Sequence, residues 1–291
     1  MENRLTSDNL QGRCPSRRAR LIAALFFVSL LWPPFSVQAA EINPVRFVTP
    51  NGITVLFLEQ HFLPTAEIHA LLKVGAAHDP SDKAGLAHLT EQIDFVGGSL
   101  EARASEDFTT ASARVLKKDV DLGFTLLADM LQRPAFHKQE FDRVRGQILG
   151  ELLSDEDDPG HVAMKAFNQL VFHGHPYRWP AEGTEESLNR ITLADVQQFH
   201  ALEYLPNQTI LVVVGDLTLE QVNSLVQTHF GGWKKGTSSG YQLKKPAALD
   251  RKMVQLIEKD LTQSTIVLGH TGISRNNPDY YAVTVMNYIL G

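Results

Sequence analysis

Hydrophobic and polar positions change period several times along the chain, and each change marks an element. Apolar runs on both sides of Pro50-Asn51-Gly52 in "VRFVTPNGITVLFLEQ" predict a β-hairpin from Val45 to Leu58. A further strand is expected over Ala66–Gly75. The polar loop "AAHDPSDKAG" follows it and offers Ser81 or Asp82 as a helix cap. A second hairpin is read from "GGSLEARASEDFTTASARVL", with Leu100, Ala102 and Ala104 on one face, a turn at Ser105 to Asp107 and a return strand through Val115.

The period then lengthens to that of a helix. Val120, Phe124, Leu127 and Leu131 place a helix over Asp119–Leu131, which Pro134 stops. A long charged helix over His137–Leu153 and a third from about Gly160 to Phe172 come next. Thr192 caps another helix, with Asp195 three residues on. The nearly continuous apolar run "QTILVVVGDL" reads as a central strand covered on both faces, and "TLEQVNSLVQTHFGGW" as a closing helix. Residues 234–247 turn Lys-, Gly- and Ser-rich, as a linker does. Beyond them "KMVQLIEK" and "QSTIVLGHTG" read as strands and "PDYYAVTVMNYIL" as a helix, the start of a second unit over 248–291. Hairpins mixed with runs of helices predict an α+β fold rather than strict alternation.

Composition narrows the function class. A chain of 291 residues suits one large or two medium domains. Its 27 Lys and Arg against 33 Asp and Glu give a net charge of -6 without a basic stripe, which argues against nucleic acid as a partner. The segment "SRRARLIAALFFVSLLWPPFSVQAAE" has the form of a secretory signal: Arg17, Arg18 and Arg20, an apolar run over Leu21–Trp32, and small residues for cleavage near Ala39–Ala40. The expectation is an exported, periplasmic protein with a signal peptide over 1–39. The run is shorter than the roughly 20 residues of a spanning helix, and an uncleaved anchor is the alternative. Cys14, the only cysteine, would leave with the signal, so a mature chain would hold no thiol ligand or nucleophile.

The candidate chemistry lies in "GLAHLTEQIDF". On a helix His88, Glu91 and Gln92 project from one face. A zinc hydrolase needs two or three imidazole or carboxylate ligands, an open position for water, and a carboxylate to take that water's proton. A His-x-x-Glu-His helix supplies two ligands and the base; here Gln92, a neutral amide and poor zinc ligand, stands last. On these five residues alone, a packing or capping histidine is the ordinary reading. Glu151 alone reads as part of the solvated face of a charged helix. His173 and His175 of "HGH" look metal-like by eye, and His161 beside "DDPG" reads as surface.

Longer stretches carry a resemblance. "NGITVLFLE", "VGAAHDPSDKAGLAHL", "FVGGSLEA", "LADMLQRPAFHKQEFDRVRGQILGEL", "DDPGHVAMKAFNQLVFHGHPYRWPAEGTEESL", "FHALEYLPNQTILVVVGDL" and "YYAVTVMNYILG" are similar, in order, to segments of the pitrilysin/insulinase (M16) metallopeptidases. The resemblance implies an M16/LuxS-like metallohydrolase fold: a mixed, largely antiparallel sheet packed against helices over 45–233, and the start of a similar second domain. It also implies His88 as first zinc ligand, Glu91 as general base, Glu151 of "ILGEL" as distal ligand, Zn2+ as cofactor, and peptide or unfolded protein as substrate. In that family "HGH" belongs to a loop rather than to the metal.

The chain departs from the family in particular places. Gln92 stands where the second zinc histidine belongs, and the interval between His88 and Glu151 is short. A deletion after Thr90 would explain both, with Glu91 and Gln92 belonging to a later helix. Glu101 stands where active relatives commonly have Asn, in an edge strand that pairs with substrate. The chain also stops before the family's later Arg/Tyr pair and is expected to be a fragment. Three readings follow. One is an active periplasmic zinc endopeptidase. Another is a non-catalytic homologue that binds peptide or joins an active M16 partner subunit, and the third is a truncated, unstable product.

Overall fold

A computed structural model describes residues 43–93, 100–239 and 243–290. The expected signal segment 1–39, Cys14 and the start of the second predicted hairpin at Gly97-Gly98 lie outside the described residues. Six strands form one sheet: β1 Val45–Val48, β2 Thr54–Glu59, β3 Thr65–Leu72, β4 Leu100–Ala104, β5 Thr109–Leu116 and β6 Thr209–Gly215. Their order across the sheet is β1-β2-β6-β3-β5-β4. All neighbours are antiparallel except β2 and β6, which run parallel with Thr54 opposite Ile210. The sheet is therefore mixed and largely antiparallel, and the α+β expectation is met.

The first hairpin forms where the turn residues demand it. Gly52 has φ +95, and a Cβ there would lie 2.9 Å from Cβ of Asn207, so only glycine suits the position. Period-2 alternation then sends Val55 and Phe57 of β2, Ala66, Ile68, Ala70 and Leu72 of β3, Ala111 and Ala113 of β5, and Leu211 and Val213 of β6 to one buried face. His69 and Arg114 leave from the other face, which water reaches. This corrects the reading of β6 as covered on both sides: Ile210, Val212 and Val214 are only half-buried.

Helices close the buried face. In chain order they are α1 Leu86–Ile93, α2 Val120–Gln132, α3 Lys138–Asp155, α4 Pro159–Val171, α5 Glu185–Arg190, α6 Leu193–Glu203, α7 Leu219–Phe230 and α8 Tyr280–Leu290. Phe124, Leu127 and Leu131 of α2, Phe141, Val144 and Ile148 of α3, and Val222, Val226 and Phe230 of α7 join the sheet residues in one core. Each such side chain contributes about 1.5–3 kcal/mol when fully buried. Thr192 caps α6 through the Asp195 N–H, as its sequence predicts.

Beyond the core the expectations part from the structure. The segments expected as strands over 252–259 and 263–272 are not in strands. Val254, Leu256, Ile266 and Leu268 are more than four-fifths exposed, and without a paired neighbour an extended segment leaves its backbone groups to water. The helix of "PDYYAVTVMNYIL" is present as α8, with no buried residue. Residues 234–239 lie against the first unit: Asn207 donates to the Gly236 carbonyl at 3.1 Å, and the Ser239 N–H donates to Glu203 at 3.0 Å.

Candidate functional site

Helix α1 carries the candidate chemistry, and its first turn is fixed by residues outside it. Neither Ser81 nor Asp82 is the cap; Asp79 is. Its carboxylate accepts from the backbone N–H groups of Gly85 (2.8 Å), Leu86 (3.1 Å) and Ala87 (2.9 Å), three of the donors a helix start leaves unpaired. Enclosure of that carboxyl pushes it up to about 7, against the pull of the three N–H groups. Gly85 has φ +94, and a Cβ on it would sit 2.5 Å from the Glu182 carbonyl oxygen, so glycine brings the helix start close to the loop before α5.

The helix itself is continuous across Thr90 and Glu91. Leu86, Ala87, Leu89 and Thr90 are buried, and the helix packs on α6, α3 and β4. His88 and Gln92 lie on the opposite side, half-buried, one turn apart.

There the side chains pair with each other. The Gln92 amide nitrogen is 2.9 Å from His88 Nε2. Either orientation of the amide uses up that ring nitrogen, since a carboxamide can donate to it or accept from it. His88 Nδ1 is buried without a hydrogen-bond partner; the nearest carboxylate oxygen of Glu91 is 3.9 Å away, too far for a hydrogen bond. Burial lowers the His88 pKa, and the carboxylates of Glu182 and Glu151 act in the opposite sense. The neutral ring is thus favoured.

Glu91 is buried, 7% exposed, and lines a small cavity together with Ala102, Thr109, Met130, Leu131 and His200. Desolvation pushes its carboxyl up to about 7, opposed by the Ala104 N–H and the Arg103 charge. Glu151 arrives from α3, three residues after the buried Ile148 and so on the same helix face. Its side chain is exposed and accepts from Gln147 at 3.0 Å. The fold therefore brings His88, Glu91, Gln92 and Glu151 to one region, and adds Glu182. Glu182 was not foreseen, because no local pattern ties residue 182 to residue 88.

Other histidines do different work. His175 is buried and its Nδ1 accepts from the Tyr177 N–H at 3.2 Å, while His161 pairs with Asp155 at 2.9 Å on the surface. His173 is exposed.

The donor set can be tested against zinc. It offers one imidazole whose Nε2 is engaged by an amide, one exposed carboxylate on another helix, and a neutral carboxamide in the position between. Among the described residues no group of three His, Cys, Asp or Glu is placed to hold a metal ion. The residues present do not fit a zinc centre.

Strand β4, with the exposed Glu101 and Arg103, lies at the sheet edge beside α1. The sequence model of the insulinase family (peptidase family M16) matches residues 90–185, and that of the peptidase M16 inactive domain matches residues 190–291. The chain belongs to the M16 peptidase family. The first match begins after His88. Relatives of this M16 chain include an uncharacterized zinc protease of Rickettsia felis, 26% identical over 242 residues that make up 76% of this chain and 57% of the relative. Another is a probable mitochondrial-processing peptidase subunit beta of Arabidopsis thaliana, 26% identical over 83% of this chain and 49% of its own. The crystal structure of a peptidase M16 inactive domain from Pseudomonas fluorescens superposes with a TM-score of 0.72 at 24% identity, covering 86% of this chain and 64% of that one, and shows the shared fold. The chain spans a little over half the length of the first of these relatives.

Proposed function

We propose that this M16 chain is an exported, non-catalytic homologue that binds extended peptide segments and works beside an active M16 partner subunit. The observation that carries the reading is the amide of Gln92 on His88 Nε2, where a zinc-binding site needs a second ligand. Two further features support it. Among the described residues the edge strand β4 has a strand neighbour on one side only, the arrangement by which extended peptides add to a sheet, although its Ala104 N–H already meets Glu91. A relative of similar identity is named as a subunit of a processing peptidase. Export rests on the form of residues 1–39.

In this reading the chain's own groups bind and orient rather than cleave. Backbone groups of β4 pair with the peptide, and Glu101 and Arg103, both exposed on that strand, select among its side chains. Fluorescence anisotropy of labelled extended peptides, run beside a fluorogenic cleavage assay with added Zn2+, tests it. Binding without cleavage is expected. Cleavage that a chelator stops and that Glu91→Gln abolishes would establish the endopeptidase reading instead.

A further inference from the structure

We propose that Gln92 turns the metal position of α1 into a hydrogen-bonded joint that needs no cation, and that this one side chain is what keeps a divalent cation out. The proposal rests on the non-catalytic reading above and goes further, by assigning the exclusion to a single residue and the retained scaffold to named others.

Three placements lead there. First, His88 and Gln92 sit at i and i+4, and their polar ends meet at 2.9 Å, so the amide occupies the ring nitrogen that would otherwise face a ligand. Secondly, the ring is 15% exposed and its other nitrogen is buried without a partner, so packing and Gln92 together hold its orientation. Thirdly, the helix start is anchored by the Asp79 carboxylate and by the close approach of Gly85 to Glu182, neither of which involves an ion. The backbone that presents His88 is thus anchored by protein groups of its own. The negative charges of Glu151 and Glu182 act at the same ring, which is the field a cation would need.

Replacing the amide by an imidazole would set two ring nitrogens one helical turn apart, with those carboxylates nearby. The joint would open into a site for a borderline-soft divalent cation, with Co2+ as the spectroscopic probe.

The wild-type chain and its Gln92→His variant, both checked for folding by circular dichroism, are titrated with Co2+ and followed by visible absorption and thermal unfolding. The wild type is expected to show no d–d bands, and neither EDTA nor Zn2+ moves its Tm. The variant is expected to develop d–d bands and to gain about 5 °C in Tm with saturating Zn2+, both lost when His88→Ala is added. Stoichiometric Co2+ bands in the wild type, or a folded variant that binds no cation, would overturn the proposal. Should the variant not fold, the wild-type arm still decides: a Tm that falls in EDTA contradicts a cation-independent joint. The peptide assays above judge the non-catalytic reading separately, because they read peptide binding and cleavage and leave Gln92 unchanged.

Discussion

The two ends of α1 are held by different means. Its first turn is tied by three N–H bonds to Asp79, by Gly85 against the loop at Glu182, and by Leu86 and Ala87 in the core. From His88 onward it carries the candidate groups, Glu91 buried, and His88 and Gln92 joined across one turn on the more open side by a side-chain pair. The difference separates scaffold from chemistry. In the proposed reading, the helix start and the core residues place the helix beside an edge strand, and the amide of Gln92 stands at the position that would otherwise offer a ligand.

If that contrast is right, changes at the scaffold end are costly and changes at the site end are cheap. Leu89, fully buried between the ends, sets the scale: Leu89→Ala should lower stability by about 3 kcal/mol in urea unfolding, as a core cavity does. Asp79→Ala leaves three helix-start N–H groups without their acceptor and should cost about 2 kcal/mol. A loss no larger than a surface substitution gives would show that Asp79 does not anchor the turn.

The same carboxyl supplies a pH test. Its folded pKa, about 7, lies above the unfolded value near 3.8, so the folded chain holds a proton between them that the unfolded chain has lost. Its contribution to stability is therefore full below about pH 4 and is lost as pH rises from there through about 7, by on the order of 4 kcal/mol in all. Wild-type stability at pH 5 and pH 8, compared with Asp79→Asn, should show a steeper decline in the wild type. Parallel curves would mean that the three N–H groups outweigh enclosure.

At the site end the effects shrink. Gln92→Ala removes one half-buried hydrogen bond and should cost less than about 1 kcal/mol. Smaller still in stability, but visible in binding, Glu101→Lys on the exposed edge strand should shift preference from basic toward acidic peptides by a few-fold at low salt, and the shift should fade as salt is added.

Much of the scaffold was legible because it is local. Asn51-Gly52 marked the first hairpin, alternation marked β3 and β5, and Pro134 ended α2. What is not local was not legible. The parallel pairing of β2 with β6 joins Thr54 to Ile210 across most of the chain, and no periodicity encodes it. Asp79 carries no local cap signal, because it precedes the helix by several residues and reaches it through a loop. The segments expected as strands over 252–259 and 263–272 have the right residues and, among the described residues, no strand paired with them.

The site was half legible. Position 92 could be read from the motif, and Glu151 only through resemblance to the family. The pairing of Gln92 with His88 follows from i, i+4 spacing, whereas the approach of Glu182 depends on how residues 180–183 fold against Gly85. One continuous helix spans Thr90 and Glu91, the positions at which a deletion would join two helical segments.

The central claim, that this M16 chain holds its site together without a metal, is tested most directly by the zinc content of the purified wild-type protein after incubation with excess Zn2+ and gel filtration. The account predicts far less than one zinc per chain, unchanged by His88→Ala. One zinc per chain, lost with His88→Ala, would contradict it.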